Sequence, residues 1–420
     1  MSGVSGIYID GGQPLQGEVL LQGSKNTVLP MLAASILNQG SIKLHHCPKI
    51  ADVENMLALL EQLGCLIKRN GDSIEINAAT IASDQVAAEY GKRMRSSVFL
   101  LGSMLGRMGH TRTAYPGGCV IGARPIDIHL DALKKMQVEI TEEEDTLCLS
   151  TKGLKGNHIS LKFPSVGATE NIIMAAVLAE GTTFIKNAAL EPEVTELCFL
   201  LTKMGARIAG IGTGTLVIQG VKRLHDAEYT VKGDRIAGGT YLAAALATHG
   251  SVTLHTDCIS YMEKTLHILK IAGGTISKGR DYVTLSAPTR IKGIKRLVTQ
   301  TYPGFPTDMQ SQLMAVLTCA EGSSVIEERI FESRFRICSE LEKMGALIKV
   351  QGNQARILGV SKLHGAEVEA MELRGGAALM IAALAAEGES CIHGVHFIER
   401  GYEDICEVLS ELGAQIKKEE

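Results

Sequence analysis

The sequence repeats one helix-and-strand pattern six times, at intervals of about seventy residues. In each copy an apolar, alanine-rich segment ends at a glycine, as in IIMAAVLAEG and GAALMIAALAAEG. The six glycines are Gly40, Gly109, Gly181, Gly250, Gly322 and Gly388, at spacings of 69, 72, 69, 72 and 66 residues. A repeat of this length is one supersecondary unit, and such units bury their apolar faces by packing on each other.

The rest of each copy predicts how the units fold. A short alternating stretch such as TTFIKN or SVTLHT predicts a strand, and an amphipathic helix and a closing strand follow it. The residues that close the amphipathic helices are Gly64, Gln137, Gly205, Gly273, Gly345 and Gly413. Because the first helix of each unit is apolar on nearly every side, it must be buried, whereas the second lies outside. We therefore predict an α/β fold with two inside-out barrel domains of three units each.

Composition and charge exclude several classes of function. The 420 residues include 42 Lys and Arg against 46 Asp and Glu, and no Trp, which argues against a nucleic-acid partner. The N-terminal residues lack a secretory pattern and the longest apolar run, residues 377–386, is too short for a bilayer, so we expect a cytoplasmic protein without a membrane partner. The ten cysteines form no CxxC pair and the histidines no HExxH motif, so we expect reduced thiols and no metal.

The turns that enter the helices hold the most informative polar residues. Before the buried helices stand the cations Lys25, Arg95, Arg235 and Arg374 and the carboxylates Asp234 and Asp308; before the outer helices stand Arg124, Arg334 and Arg400. A helix N-terminus offers free N–H groups and a positive dipole end. If the two domains face each other at these ends, one cleft collects the cations. We expect such a cleft to bind a small substrate that carries several negative charges.

Cys119 differs from the other nine cysteines, most of which lie in apolar runs. It stands in the glycine-rich stretch YPGGCVIGARP (115–125), where Gly117, Gly118 and Gly122 allow movement. Arg124 is near in sequence, and Pro125 suits the first position of a following helix. A cation and a helix start both lower the pKa of a thiol. We therefore predict that Cys119 exchanges a proton near neutral pH, whereas Cys65, Cys148, Cys198, Cys319 and Cys406 are expected to be buried apolar residues.

Nine longer motifs are spread over the whole chain. They are GSKNTVLPMLAA (23–34), KRMRSS (92–97), PGGCVIGARPIDIHL (116–130), PSVGATEN (164–171), GDRIAGGT (233–240), GFPTDMQSQ (304–312), FESRF (331–335), ELRGGAAL (372–379) and ERGYEDI (399–405). Together they resemble the motifs of the UDP-N-acetylglucosamine enolpyruvyl transferases. The resemblance implies one domain from residues 22–232, a second from 1–21 and 233–420, and an active site in the cleft between them. It also implies no cofactor, and a monomer is the favoured state.

The reaction that the resemblance implies is transfer of the enolpyruvyl group of phosphoenolpyruvate to the 3′-hydroxyl of UDP-N-acetylglucosamine, with release of phosphate. It proceeds by addition and elimination through a tetrahedral ketal. As the first committed step of peptidoglycan synthesis, it also implies a part in cell-wall biogenesis, cell shape, cell division and the cell cycle. In such a mechanism Cys119 protonates the methylene carbon and is alkylated by fosfomycin, while Asp308 takes the hydroxyl proton. The sequence alone also suits Asp308 as a helix N-cap.

The resemblance assigns site residues by motif. The residues implied as catalytic are Cys119, Asp308, Lys25 and Arg400. Phosphate would be held by Lys25 and Arg124 with Asn26 beside them, and the carboxylate end by Arg334, Arg374 and Arg400. The UDP-sugar would be bound by Arg95, Arg124, Pro125, Ile126, Asp127, Ile128, Asp308 and Ile330. Ser165, Val166 and Gly167 are implied as substrate-binding residues.

Three residues depart from the pattern of the family. Ser333 stands where familiar members have Asn, Ile337 where they have His, and Glu372 where they have Asp. The extra methylene of Glu372 is expected to shift Arg374. These departures leave open a paralogue that binds the UDP-sugar with weak or no turnover. A further alternative, a 3-phosphoshikimate enolpyruvyl transferase, lacks the Gly-Gly-Cys loop and has a different first lysine turn.

Overall fold

The computed structural model describes residues 6–86, 95–114, 126–143 and 146–419, without the side chains of Arg95 and Ser96. These residues divide into two compact units. The N-terminal unit runs from residue 23 to residue 232, and the C-terminal unit combines residues 6–22 with 233–419. No helix in the described part of the chain is long and apolar enough to cross a membrane.

Each unit has a central group of inner helices and an outer helix for each repeat. The inner helices are α1 (Lys25–Ser35), α3 (Leu100–Met108) and α5 (Val166–Ala176) in the N-terminal unit, and α7 (Arg235–Ala247), α9 (Gln310–Thr318) and α11 (Leu373–Ala385) in the C-terminal unit. The outer ones are α2 (Ala51–Leu63), α4 (Asp127–Lys135), α6 (Pro192–Lys203), α8 (Glu263–Ile271), α10 (Cys338–Lys343) and α13 (Ile405–Glu411), with α12 (Val395–Ile398) before the last. Short 3₁₀ turns cover Arg95–Phe99, Ile259–Met262, Thr307–Met309 and Arg334–Ile337.

Among the described residues, six four-stranded sheets surround the inner helices, three in each unit, and all share one strand order. The sheets of the N-terminal unit are Ala227–Thr230, Ser41–His45, Ser73–Asn77, Leu66–Asn70; Gln85–Val86, His110–Ala114, Thr146–Ser150, Glu139–Glu143; and His158–Ser160, Thr182–Lys186, Thr215–Gln219, Arg207–Ala209. Those of the C-terminal unit are Gln16–Leu20, Ser251–His255, Tyr282–Ser286, Thr275–Lys278; Leu297–Val298, Ser323–Glu327, Gln354–Leu358, Leu347–Gln351; and Glu367–Glu369, Glu389–His393, Gly6–Asp10, Gln415–Glu419. In each sheet the first two strands pair parallel and the remaining neighbours antiparallel, as with Ala227↔Ile42 and Ser41↔Asn77.

The inner helices are buried on almost every side, as their composition predicts. In α11 every residue from Leu373 to Leu384 is buried. Gly102 shows how closely these helices pack, because a Cβ atom there would lie 2.2 Å from the carbonyl oxygen of Asn171 on α5. Each unit has its own continuous apolar core. The predicted inside-out α/β architecture is therefore confirmed.

The residues that close the outer helices all have a left-handed backbone. Their φ angles are 104° at Gly64, 67° at Gln137, 98° at Gly205, 108° at Gly273, 93° at Gly345 and 96° at Gly413. Glycine adopts this conformation without the steric penalty of a side chain. Gln137 adopts the same conformation with a side chain, so the repeat imposes the backbone shape even where the residue type differs.

Candidate active site

Asp308 and two predicted arginines form an ion-pair cluster in the C-terminal unit. Asp308 lies in the 3₁₀ turn before α9, Arg334 in the turn before α10, and Arg374 in the first turn of α11. Arg334 Nη2 donates to Asp308 Oδ1 at 2.5 Å, and Arg374 Nη2 donates to Oδ2 at 3.2 Å. The side chains of Arg334 and Arg374 are 3% and 4% exposed, whereas that of Asp308 is 26% exposed. The cluster therefore pairs a partly exposed carboxylate with two buried guanidinium groups.

The arginines determine the protonation state of Asp308. Burial alone would raise the pKa of this carboxyl group, but the charges of Arg374, Arg334 and Arg235 outweigh burial and hold the pKa well below its ordinary value. Asp308 is therefore ionised at neutral pH. The expected N-cap role was wrong, since no side-chain cap bond begins α9 and the carboxylate bonds to the arginines instead.

Glu372 connects the second arginine to the first. As N-cap of α11 it accepts from the backbone N–H of Arg374 at 2.8 Å and from that of Gly375. The same carboxylate accepts from Arg334 Nη1 at 3.3 Å. Arg374 contacts Asp308 in this arrangement, and the expected shift of Arg374 by the extra methylene stays a prediction. The longer side chain folds back to cap the helix and still reaches Arg334.

Glu328 is a buried site residue that the sequence analysis missed. Its Oε1 accepts from Thr299 Oγ1 at 2.9 Å and from Ile330 N at 2.7 Å, and its Oε2 accepts from Thr307 Oγ1 at 2.9 Å. It thus fixes the turn that holds Asp308 and the loop that leads to Arg334. The available signal was the Glu-Glu pair at the end of the alternating stretch SSVIEE, because alternation turns one of two neighbouring side chains inward.

A polar network behind Arg374 was missed as well. Tyr402 follows α12 and is 2% exposed. Its hydroxyl lies 3.5 Å from Arg374 Nη1 and 2.9 Å from Thr240 Oγ1 on α7. Gln312 Nε2 on α9 donates to the same threonine oxygen at 3.3 Å. The Arg374 side chain is therefore linked to all three inner helices of its unit.

Lys25 occupies the equivalent helix start in the N-terminal unit. It is the first residue of α1, which Ser24 caps by accepting from Thr27 N at 3.3 Å. The buried Lys25 ammonium lies 2.8 Å from a carboxylate oxygen of Asp52 on α2. This pairing fixes the ammonium at the helix start, with the half-buried Asn26 as its neighbour in the chain.

Another helix start in this unit contains three of the predicted substrate-binding residues. Ser165 caps α5 by accepting from Ala168 N at 3.3 Å, and Val166 and Gly167 form the first turn. A Cβ atom at Gly167 would lie 3.1 Å from the His129 ring of α4, so only glycine leaves the turn undisturbed. Beside it, the buried Ile126 precedes α4, Asp127 is exposed and Ile128 is half-buried.

The remaining predicted residues lie either at other positions of the C-terminal unit or outside the described part of the chain. Cys119, Arg124 and Pro125 lie outside the described residues, and the same is true of the side chain of Arg95. Arg400 is half-buried in the turn after α12, and Ile330 donates its N–H to Glu328. Arg235 begins α7, and its guanidinium carbon lies 5.9 Å from the centre of the Tyr302 ring.

The nine described cysteines are free thiols, and burial raises the pKa of most of them. It raises the pKa of Cys65, Cys198, Cys258 and Cys338 to about 12. The expectation of full burial was wrong for Cys148, Cys319 and Cys406, which are only partly buried. Within the described residues, no group of three or more His, Cys, Asp or Glu side chains could hold a metal ion.

The three residues that depart from the family pattern line one cavity. Ser333, Ile337 and Glu372 surround it together with Arg334 and Arg336 and with part of α11. This cavity adjoins the Asp308 cluster through Arg334 and Glu372, so the departures are concentrated at one side of the site.

Comparisons with known proteins agree with this architecture. The family model described as EPSP synthase (3-phosphoshikimate 1-carboxyvinyltransferase) matches residues 9–409. A solved structure, the enolpyruvyl transferase NikO from Streptomyces tendae, superposes with a TM-score of 0.90 at 25% identity and covers 99% of both chains. The fold and the site thus define an enolpyruvyl transferase.

Two curated relatives show to which family of enolpyruvyl transferases the chain belongs. UDP-N-acetylglucosamine 1-carboxyvinyltransferase 2 from Caldanaerobacter subterraneus subsp. tengcongensis is 47% identical over 408 residues, which cover 97% of this chain and 98% of the relative. UDP-N-acetylglucosamine 1-carboxyvinyltransferase from Acinetobacter baylyi is 44% identical over 412 residues and 98% of each chain. This chain therefore belongs to the UDP-N-acetylglucosamine 1-carboxyvinyltransferase family.

Proposed function

We propose that this transferase moves the enolpyruvyl group of phosphoenolpyruvate to the 3′-hydroxyl of UDP-N-acetylglucosamine and releases phosphate. The observation that carries the proposal is the Asp308 carboxylate held between two buried arginines at the start of an inner helix. Enolpyruvyl transfer needs cations for a doubly acidic donor and a base for the acceptor hydroxyl, and this cluster supplies both.

Asp308 acts as the base once phosphoenolpyruvate is bound. In the structure Arg334 and Arg374 are engaged with Asp308, which keeps its pKa too low for an effective base. The substrate carboxylate competes for these guanidinium groups. As they turn towards it, Asp308 loses stabilising charge and its pKa rises. The carboxylate then accepts the 3′-hydroxyl proton while the oxygen adds to C2 of the donor.

The proton for the methylene carbon comes from Cys119, and this role rests on the sequence motif. Protonation makes C2 electrophilic, and the sugar oxygen adds to give the ketal. Phosphate then leaves C2 while the Cys119 thiolate takes a proton back from the methyl group, which restores the double bond. Lys25 and Arg124 bind the phosphate, Arg400 joins the arginines at the carboxylate end, and the helix start at Ser165 binds the diphosphate of the UDP-sugar. We also propose that the protein is a cytoplasmic monomer that serves peptidoglycan synthesis.

The experiment is a phosphate-release assay with phosphoenolpyruvate and one acceptor at a time. UDP-N-acetylglucosamine is expected to support release, whereas shikimate 3-phosphate and UDP-glucose are not. Binding of UDP-N-acetylglucosamine without phosphate release would instead favour the UDP-sugar-binding paralogue. That second candidate is favoured by one observation, the concentration of Ser333, Ile337 and Glu372 around a single cavity.

Cys119 is tested with a matched cysteine. Cys119→Ala should abolish turnover, while Cys148→Ala, at a partly buried thiol on a strand, should leave turnover unchanged. Fosfomycin should add one molecule to the wild-type chain, at the peptide that contains Cys119. An active enzyme with no adduct at that peptide would contradict the proposed role of the thiol.

A further inference from the structure

The donor and acceptor of each hydrogen bond around Thr240, behind Arg374, can be assigned. The Thr240 hydroxyl has a single proton, and its oxygen lies 2.9 Å from the carbonyl oxygen of Ile236, which can only accept. The threonine oxygen therefore accepts from its other neighbours. These are the Tyr402 hydroxyl at 2.9 Å and Gln312 Nε2 at 3.3 Å.

This direction fixes the role of Tyr402. Since its only hydroxyl proton goes to Thr240, the phenol oxygen has its lone pairs free for a donor. Arg374 Nη1 lies 3.5 Å from it, and the guanidinium carbon lies 5.9 Å from the centre of the Tyr402 ring. Burial raises the pKa of Tyr402 although Arg374 opposes that shift, so the phenol stays protonated.

Because Tyr402 can accept from it, Arg374 is held at two of its nitrogen atoms. Nη2 contacts Asp308, and Nη1 contacts Tyr402. A guanidinium group has a rigid planar fork, so fixing Nη1 fixes the direction in which Nη2 points. When Asp308 gives up Arg374 to a substrate, the contact at Nη1 still orients the fork.

We propose that Tyr402, itself oriented by Thr240, is a positioning residue that aims Arg374 at the carboxylate of phosphoenolpyruvate. This inference rests on the proposed function. It assigns to a tyrosine and a threonine a task that they perform through Arg374. Because the contact involves the donor substrate alone, its loss should change the Michaelis constant for one substrate and not for the other.

The test compares single-hydroxyl deletions in the full-length enzyme. Tyr402→Phe keeps the ring and removes the oxygen, and Thr240→Val removes the acceptor of the Tyr402 proton. Both should raise KM for phosphoenolpyruvate about five- to tenfold, which corresponds to about 1–1.4 kcal/mol and to one ordinary hydrogen bond, and leave KM for UDP-N-acetylglucosamine unchanged. Thr240→Ser should restore the wild-type KM because the hydroxyl returns.

Tyr241→Phe is the matched control, since Tyr241 is an equally buried tyrosine of the same helix bundle with 2% exposure. It should leave both Michaelis constants at wild-type values. Equal changes in both constants, or no change in Tyr402→Phe while the wild type is active, would overturn the positioning role. A wild-type enzyme without phosphate release would overturn the proposed function first and this inference with it, so the two failures are distinguishable.

Discussion

The two units share one fold but begin their inner helices with different chemistry. In the N-terminal unit, α1 and α5 are capped by the hydroxyl groups of Ser24 and Ser165. In the C-terminal unit, α7 and α11 are capped by the carboxylates of Asp234 and Glu372, and Asp308 stands in the turn before α9. Where an inner helix has a side-chain cap, the cap is thus a neutral hydroxyl group in one unit and a carboxylate in the other.

The difference decides what each helix start can bind. A neutral cap satisfies one N–H group and leaves the positive end of the helix available to an external anion. A carboxylate cap supplies the anion from the protein, and the cap Glu372 also accepts from the Arg334 guanidinium group. Under the proposed function, this difference assigns anion binding to the helix starts of one unit and the placement of arginines and of the base to those of the other.

The largest expected effect comes from neutralising the carboxylate of the C-terminal unit. Asp308→Asn should lower kcat by about 10²- to 10⁴-fold, because the base for the acceptor hydroxyl is lost. It should also remove stability at neutral pH. The folded pKa of Asp308 is depressed, so its contribution is present above the unfolded pKa and is lost as the pH falls towards the folded value.

Kinetics on the folded protein and thermal unfolding at pH 7 and pH 3 measure both effects. Glu332→Gln, at an exposed carboxylate of the neighbouring loop, is the control and should behave as the wild type. An Asp308→Asn enzyme with wild-type kcat would remove Asp308 from the mechanism.

The next effect follows from giving the N-terminal unit a negative cap. Ser165→Asp should raise KM for UDP-N-acetylglucosamine by about tenfold or more, because the new charge repels the diphosphate at the start of α5. Stability should change little, since Asp caps helices about as well as Ser. Ser165→Ala should show the opposite pattern, with a loss of about 1 kcal/mol in unfolding free energy and little change in KM. A KM that Ser165→Asp leaves unchanged would place the diphosphate elsewhere.

Two carboxyl groups with opposite pKa shifts extend the comparison to pH. Glu170 lies inside α5 of the N-terminal unit, and both its oxygens are buried without a hydrogen-bond partner among the described residues. Burial first, then the charges of Glu193 and Glu191, raise its pKa well above the ordinary value. Asp308 shows the opposite shift because the arginines surround it. Since the folded state keeps the Glu170 proton longer, stability falls as the pH rises above the unfolded pKa.

Glu170→Gln should remove the loss of stability that accompanies rising pH. The gain over the wild type should increase by up to about 1.4 kcal/mol for each pH unit within the window between the two pKa values. Urea unfolding at pH 5 and pH 8 measures it, with Glu180→Gln, at an exposed carboxylate of the same unit, as control. Parallel pH profiles of Glu170→Gln and the wild type would show that this carboxyl group is satisfied in solution.

The repeat made the fold predictable, because apolar helices with no polar face can only be buried. The same pattern indicated the helix starts where Lys25, Asp308 and Arg374 lie. What it could not indicate was the pairing of these groups. The bonds from Arg334 to Asp308 and to Glu372 join residues 26 and 38 positions apart, and they depend on the directions of turns that sequence spacing does not define.

Glu328, Thr240 and Tyr402 escaped prediction for a related reason. Thr240 is a polar residue in an apolar helix, Glu328 is one of a Glu-Glu pair, and Tyr402 belongs to the polar stretch ERGYEDI. In none of these settings does sequence alone separate a satisfied buried group from a surface one. Their importance becomes visible only when the three inner helices are in contact. Conversely, the sequence suggested an N-cap at Asp308 because short polar residues before helices usually cap, and the nearby guanidinium groups outcompeted the backbone.

The smallest expected effect concerns the residue that closes the outer helices. Gln137 in the N-terminal unit has φ 67° where Gly413 in the C-terminal unit has φ 96° with open space around it. Gln137→Gly should stabilise the protein by about 0.5–1 kcal/mol, and Gly413→Gln should destabilise it by a similar amount, because a side chain is strained in the left-handed region. Urea unfolding at pH 7 measures both. If both variants shift stability in the same direction, backbone strain is not what distinguishes the two positions, and local contacts of the glutamine side chain decide instead.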